Sequence, residues 1–189
     1  MIEYIKNHIN SSYVPKYIKI KKLKNLSNII PTKIFNIYPI YNEIRPNLYL
    51  GRELSIQELN ESRFDYILSI ICHEPLHYND NISNKLVTKW INCKDNGSST
   101  IQNYFDECFE FINLGLSNEK KVYVHCKMGI SRSPTIMIAY LMTHEKISFK
   151  DARDIVLLAR PCICIKAGFY KLLKKYNTPE NHKIYTPLI

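Results

Sequence analysis

No apolar run in this 189-residue chain approaches the roughly 18 residues that cross a bilayer, so no membrane span is expected. The first residues, Met1-Ile2-Glu3-Tyr4-Ile5-Lys6, lack the continuous apolar stretch of a secretory signal. An intracellular, reducing setting is expected, with the cytoplasm as the simplest compartment. No internal repeat is visible. Cysteine is thinly spread: Cys72, Cys93, Cys108, Cys126, Cys162 and Cys164 sit in a chain long enough to hold together without disulfides, and all are read as reduced thiols. The closest pair, Cys162 and Cys164, has no histidine at ligand spacing, so no metal site is expected; the chemistry read below calls for no organic cofactor either. The Asn-x-Ser triplets at Asn10 and Asn96 would matter only outside the cell.

What is present is an ordinary globular balance, 46% hydrophobic and 23% charged residues, enough for one domain with an appendage. The net charge of +9 is uneven. Residues 1–40 hold seven lysines against Glu3 alone, which leaves a modest excess for the rest. Such a stretch attracts any anion, and a solvated surface accounts for it equally well. It carries no arginine and no nucleic-acid motif, so neither nucleic acid nor membrane is expected as a partner. Ile2, Ile5 and Ile9 stand at helical spacing before Pro15, a stripe that could pack on its own domain or pair two chains as a homodimer. The division expected is a basic extension over 1–42, a compact domain over 43–178 and a tail over 179–189.

Within the domain, Ile44 and Leu48-Tyr49-Leu50-Gly51 read as strand and turn, and a small helix follows from about Ser55. Tyr66 to Cys72 is a near-continuous apolar run, the mark of a strand buried on both faces. Leu86–Asn92 and Val122–Val124 read as further strands, and Asp95 to Ser99 as a loop. Ile101–Leu116, Ser133–Met142, a segment from Ser148 to about Arg160, and Ala167–Tyr176 read as helices, the second apolar almost all round. Strands alternating with helices predict an α/β fold in three layers, a mostly parallel sheet of four or five strands flanked by helices.

The chemistry sits in His125-Cys126-Lys127-Met128-Gly129-Ile130-Ser131-Arg132-Ser133, between an expected strand and an expected helix. A loop entering a helix N-terminus presents unpaired N–H groups and a positive dipole end, a setting for phosphate over Lys127 to Arg132. The same field stabilises a thiolate at Cys126, whose ordinary pKa is about 8.5. Arg132 can grip two phosphate oxygens with its planar fork. Gly129 lets the backbone turn tightly toward a ligand. Ser133 can donate a hydrogen bond to the sulfur.

His-Cys, five residues, then Arg-Ser, followed by Pro134-Thr135-Ile136 and Ala139-Tyr140-Leu141-Met142, resembles the signature of the cysteine-dependent protein tyrosine phosphatases, and within them the dual-specificity branch. The resemblance covers about residues 43–176. It implies a phosphorylated protein as substrate, phosphotyrosine and phosphoserine or phosphothreonine alike, hydrolysed through a phosphocysteine at Cys126. It also implies an aspartate general acid on the loop before the preceding helix, which falls on Asp95, with Asp106 as the fallback. A turn-forming role is the competing reading of Asp95. His125 is expected to hold the loop through a ring hydrogen bond.

Two features stand apart. Lys166-Ala167-Gly168-Phe169 keeps the Gly-Phe of a family pattern but not its Asn, which puts in doubt the loop support that Asn supplies. Cys72 is read first as a core cysteine, and second as a thiol that traps oxidised Cys126, a role implied by likeness to a phosphoinositide phosphatase of the family. Cys93, Cys108, Cys162 and Cys164 read as core residues, and His144 as solvated. A phosphoinositide or RNA 5′-phosphate substrate, or a non-catalytic phospho-binding module, remain as alternative functions.

Overall fold

The computed structural model describes residues 38–75 and 86–176. The Ile2, Ile5, Ile9 stripe, the basic stretch up to residue 37 and the tail from 179 lie outside the described residues. The chain divides into two units, Met1–Tyr38 and Pro39–Ile189, and the sheet and its helices belong to the second. Residues before 43 are tied into that unit: buried Arg160 donates to the Pro39 carbonyl at 3.0 Å and to Asn42 Oδ1 at 2.8 Å.

Five strands, β1 (Tyr41–Arg45), β2 (Leu48–Arg52), β3 (Tyr66–Ile71), β4 (Val87–Asn92) and β5 (Val122–Cys126), form one sheet in the order β1-β2-β5-β3-β4. Only the β1–β2 pair is antiparallel; β5 lies parallel between β2 and β3, and β4 runs parallel on the outer side of β3. The expected α/β architecture is therefore present. A central strand reads as continuous apolar sequence because both its faces are covered, and β5, Val-Tyr-Val-His-Cys, is buried along its whole length.

Successive side chains of a strand face opposite sides of the sheet. Val122 and Val124 join the main core, while Tyr123 joins a smaller cluster with Leu54, Leu59 and Ile67 on the other side. The two layers of helix are unequal. The short α1 (Ile56–Glu61) serves the small cluster; α2 (Phe105–Ser117), α3 (Arg132–His144), α4 (Phe149–Ala159) and α5 (Ala167–Tyr176) fill the large one. Each fully buried Leu, Ile or Phe there contributes roughly 1.5–3 kcal/mol.

Local chemistry sets the boundaries. Ser55 caps α1 in a capping box with Glu58, and Ser148 caps α4 by accepting from the Asp151 N–H at 3.1 Å. The helix expected from Ile101 is a 3₁₀ turn over Ser99–Tyr104 that passes into α2 only at Phe105. Ser98 Oγ caps that turn from Thr100 N–H at 3.3 Å, so the chain tightens before the true helix starts. Residues Arg132 to Thr143 of α3 are all buried, as its all-round apolar sequence requires.

Candidate active site

In a parallel sheet, ligands gather at the carboxyl ends of the strands. β5 ends at Cys126, β3 at Ile71 and β4 at Asn92, so the loops carrying Cys126, Cys72 and Asp95 emerge from one edge. Cys126 is 2% exposed, and Ser133 Oγ donates to its sulfur at 3.2 Å from the first turn of α3. The next loop residues are fixed from outside. The Lys127 carbonyl accepts from Glu53 N–H at 3.3 Å, the Gly129 carbonyl from Arg160 Nε at 2.9 Å, and the Ile130 carbonyl from Cys164 N–H at 2.7 Å. In a planar trans peptide the following N–H points opposite to its carbonyl. The N–H groups of Met128, Ile130 and Ser131 are thereby turned away from these partners.

Gly129 is required on two counts. Its φ is +65°, and a Cβ there would stand 2.3 Å from the Gly51 carbonyl oxygen at the end of β2. The loop leans on bare backbone.

Arg132 is 5% exposed and donates from Nη1 to the Cys93 carbonyl at 3.0 Å. Its Nε is buried without a partner, the one such side-chain nitrogen or oxygen among the described residues. Among the described residues no carboxylate makes an ion pair with it. A buried cation with a spare N–H and no counter-ion fits a bound anion.

Asp95 is brought to the same place: Ser131 Oγ donates to its Oδ1 at 2.9 Å. Burial pushes the Cys93 thiol up, Arg132 acts against that shift, and Asp95, Cys126 and Cys72 all lie near enough to act on it. Asp106, by contrast, is exposed in the first turn of α2. The turn-former beside Asp95 is Asn96, whose Oδ1 accepts from Ser98 N–H at 2.9 Å. The His125 ring is fixed within the sheet, its Nε2 2.8 Å from Ser69 Oγ and its imidazole stacked on Tyr123 at 5.4 Å.

Several expectations need correction. Cys72 follows β3 and is exposed, not in the core, because the strand stops at Ile71. Cys164 is also exposed and Cys162 half-buried, while Cys93 and Cys108 are buried. His144 is not simply solvated: it is half-buried, its Nε2 lies 2.8 Å from Asn113 Nδ2, and it stacks on Tyr140 at 4.2 Å. Sequence reasoning missed Arg160, 2% exposed, which ties Gly129 to Pro39 and Asn42. An arginine before a proline carries no sequence signal of burial; its three acceptors lie 31, 121 and 118 residues away.

The chain is similar to known proteins in both sequence and fold. The family model of the dual specificity phosphatase catalytic domain matches residues 48–179. Dual specificity protein phosphatase 19 of Mus musculus is 33% identical over 133 residues, 70% of this chain and 60% of that relative. Dual specificity protein phosphatase 5 of Homo sapiens is 32% identical over 140 residues, 72% of this chain and 35% of its own length. The chain thus spans less than two thirds of either relative. Among solved structures, the human tyrosine phosphatase-like serine/threonine/tyrosine-interacting protein superposes with TM-score 0.63 at 30% identity, covering 72% of this chain and 94% of that one. The DUSP15 structure gives TM-score 0.66 at 26% identity, with coverages of 76% and 90%.

Proposed function

Since the chain belongs to the dual specificity phosphatase family, we propose that it hydrolyses phosphotyrosine and phosphoserine or phosphothreonine in a protein substrate. Cys126 Sγ attacks phosphorus in line while the loop N–H groups and Arg132 hold the equatorial oxygens. Asp95 protonates the departing oxygen. In the second half Asp95 takes a proton from water as the water oxygen bonds phosphorus, and the S–P electron pair returns to Cys126. Ser133, already hydrogen-bonded to the sulfur, favours that departure by stabilising the thiolate. His125, through Ser69, orients the base of the loop. The start of α3 adds the positive end of a helix dipole beside the sulfur, the environment that activates cysteines.

The observation that carries this reading is Arg132, a buried guanidinium whose Nε has no acceptor, in the same loop as a buried thiol that accepts from Ser133. The fold alone would not carry it, since it is shared with a protein named as phosphatase-like and interacting. A thiol nucleophile must stay reduced, which supports an intracellular setting. Lys127 is the single lysine between His125 and Ser133, so the loop is less suited to a polyanionic lipid head or an RNA end.

The test is hydrolysis of matched phosphotyrosine and phosphothreonine peptides and a phosphoinositide by the wild type and by Cys126→Ser. Turnover of both peptides, abolished in Cys126→Ser, is expected. Turnover of the lipid alone would replace the substrate class, and no turnover would make the chain a phospho-binding module.

A further inference from the structure

Ser131 stands at the N-cap of α3, where a serine side chain ordinarily accepts from an N–H of the first turn. It makes no such bond here. Its hydroxyl instead donates to Asp95 Oδ1 at 2.9 Å and accepts from the main-chain N–H of Lys166 at 3.4 Å. A main-chain N–H can only donate, and a hydroxyl has one proton. With Lys166 occupying a lone pair, the Ser131 proton is directed to Asp95.

The Asp95 loop is held from a second side. Gly97, at φ +75°, lies against Gly168 in the first turn of α5, and a Cβ on Gly168 would meet the Gly97 carbonyl oxygen at 1.9 Å. The approach requires bare backbone at Gly168, whereas Gly97 is required by its positive φ, since a Cβ on Gly97 would reach Gly168 only at 3.5 Å, an ordinary contact.

Resting on the reading of Asp95 as the acid, we infer that Ser131 is the positioning residue that assigns its two oxygens different tasks. Oδ1, engaged as an acceptor, does not carry the acidic proton; Oδ2 does. As the bond between phosphorus and the leaving oxygen breaks, the Oδ2–H bond breaks and its proton passes to that oxygen. The electron pair stays on Asp95, and the Ser131 bond stabilises the carboxylate formed. When water attacks the phosphocysteine, its proton returns to Oδ2.

The test compares full-length wild type, Ser131→Ala, Asp95→Asn and the double variant on aryl phosphates of graded leaving-group acidity, from a nitro-substituted phenol to phenol itself. A good leaving group needs no proton, so it reports a folded site; phenol reports the acid. Ser131→Ala is expected to lose about tenfold on phenyl phosphate and little on the nitro-substituted ester. The double variant should be no slower than Asp95→Asn, because both act on one proton. Ser131→Gly, which removes the hydroxyl and adds no volume, should show the same selective loss, and it decides the matter if Ser131→Ala does not fold. Equal loss on both esters, or losses that add in the double variant, would overturn the inference. If Asp95→Asn itself shows no leaving-group dependence, the acid assignment fails first, and that result is distinct from a failure confined to Ser131→Ala.

Discussion

Ser133 Oγ donates to Cys126 Sγ across 3.2 Å, from the first turn of α3 to the end of β5. The bond favours a charged sulfur over a neutral one, and the sulfur must leave phosphorus bearing that charge. Ser133→Ala should therefore slow breakdown of the phosphocysteine more than its formation. The expected outcome is a fall in kcat of about 10- to 100-fold, with a rapid burst of phenol ahead of a slow steady state. Stopped-flow release of a nitrophenol reads both phases; a slowed burst with no change in the later phase would contradict the assignment.

Arg132 offers a planar fork with a spare Nε–H. Lysine keeps the charge and loses the fork. Arg132→Lys should lower kcat/KM by about 100-fold and weaken inhibition by orthovanadate in parallel. Alkylation of Cys126 by iodoacetamide should persist, which separates a lost clamp from a lost fold.

Much of this site is legible in the sequence because its parts are local. Cys126 to Ser133 is one loop and one helix start, and the unpaired N–H groups, the positive φ at Gly129 and the Ser133 hydroxyl follow from that connection. Asp95 is reachable only through likeness to a family, since 36 residues separate it from Ser131. Arg160 and the Gly97–Gly168 approach are not legible: they depend on loops from distant strands and helices meeting at one edge of the sheet. The start of α2 is hidden because apolar periodicity continues through the 3₁₀ turn at Ser99–Tyr104, whose extent the Ser98 cap sets. The exposure of Cys72 is hidden because an apolar run does not announce where its strand leaves the core.

Arg160 is buried with three neutral acceptors and holds the Gly129 carbonyl. Arg160→Met leaves the Gly129 and Pro39 carbonyls without this donor. Urea unfolding should show a loss of about 2–4 kcal/mol, and the variant should bind orthovanadate more weakly because Gly129 is freed. Unchanged affinity with lower stability would confine Arg160 to a structural role.

His144 is held below the ordinary imidazole value by burial, with the Tyr140 carbonyl acting the other way to a smaller extent. The unfolded chain regains the ordinary value of about 6.5. Between the lowered folded value and about 6.5, the unfolded state binds more protons, so this contribution to stability is fully present above about 6.5 and is lost as pH falls through the folded value. The urea midpoint of the wild type should drop on acidification across that window more steeply than that of His144→Gln. Parallel profiles for the two proteins would remove His144 as a source of the pH dependence.

The most direct measurement is mass spectrometry of the protein quenched in acid during turnover of a phosphopeptide. A phosphocysteine mechanism requires one added phosphoryl group on the peptide that carries Cys126, more abundant in Ser133→Ala than in wild type and absent from Cys126→Ser. Turnover without a phosphorylated Cys126 peptide in either protein, or turnover surviving in Cys126→Ser, would contradict it.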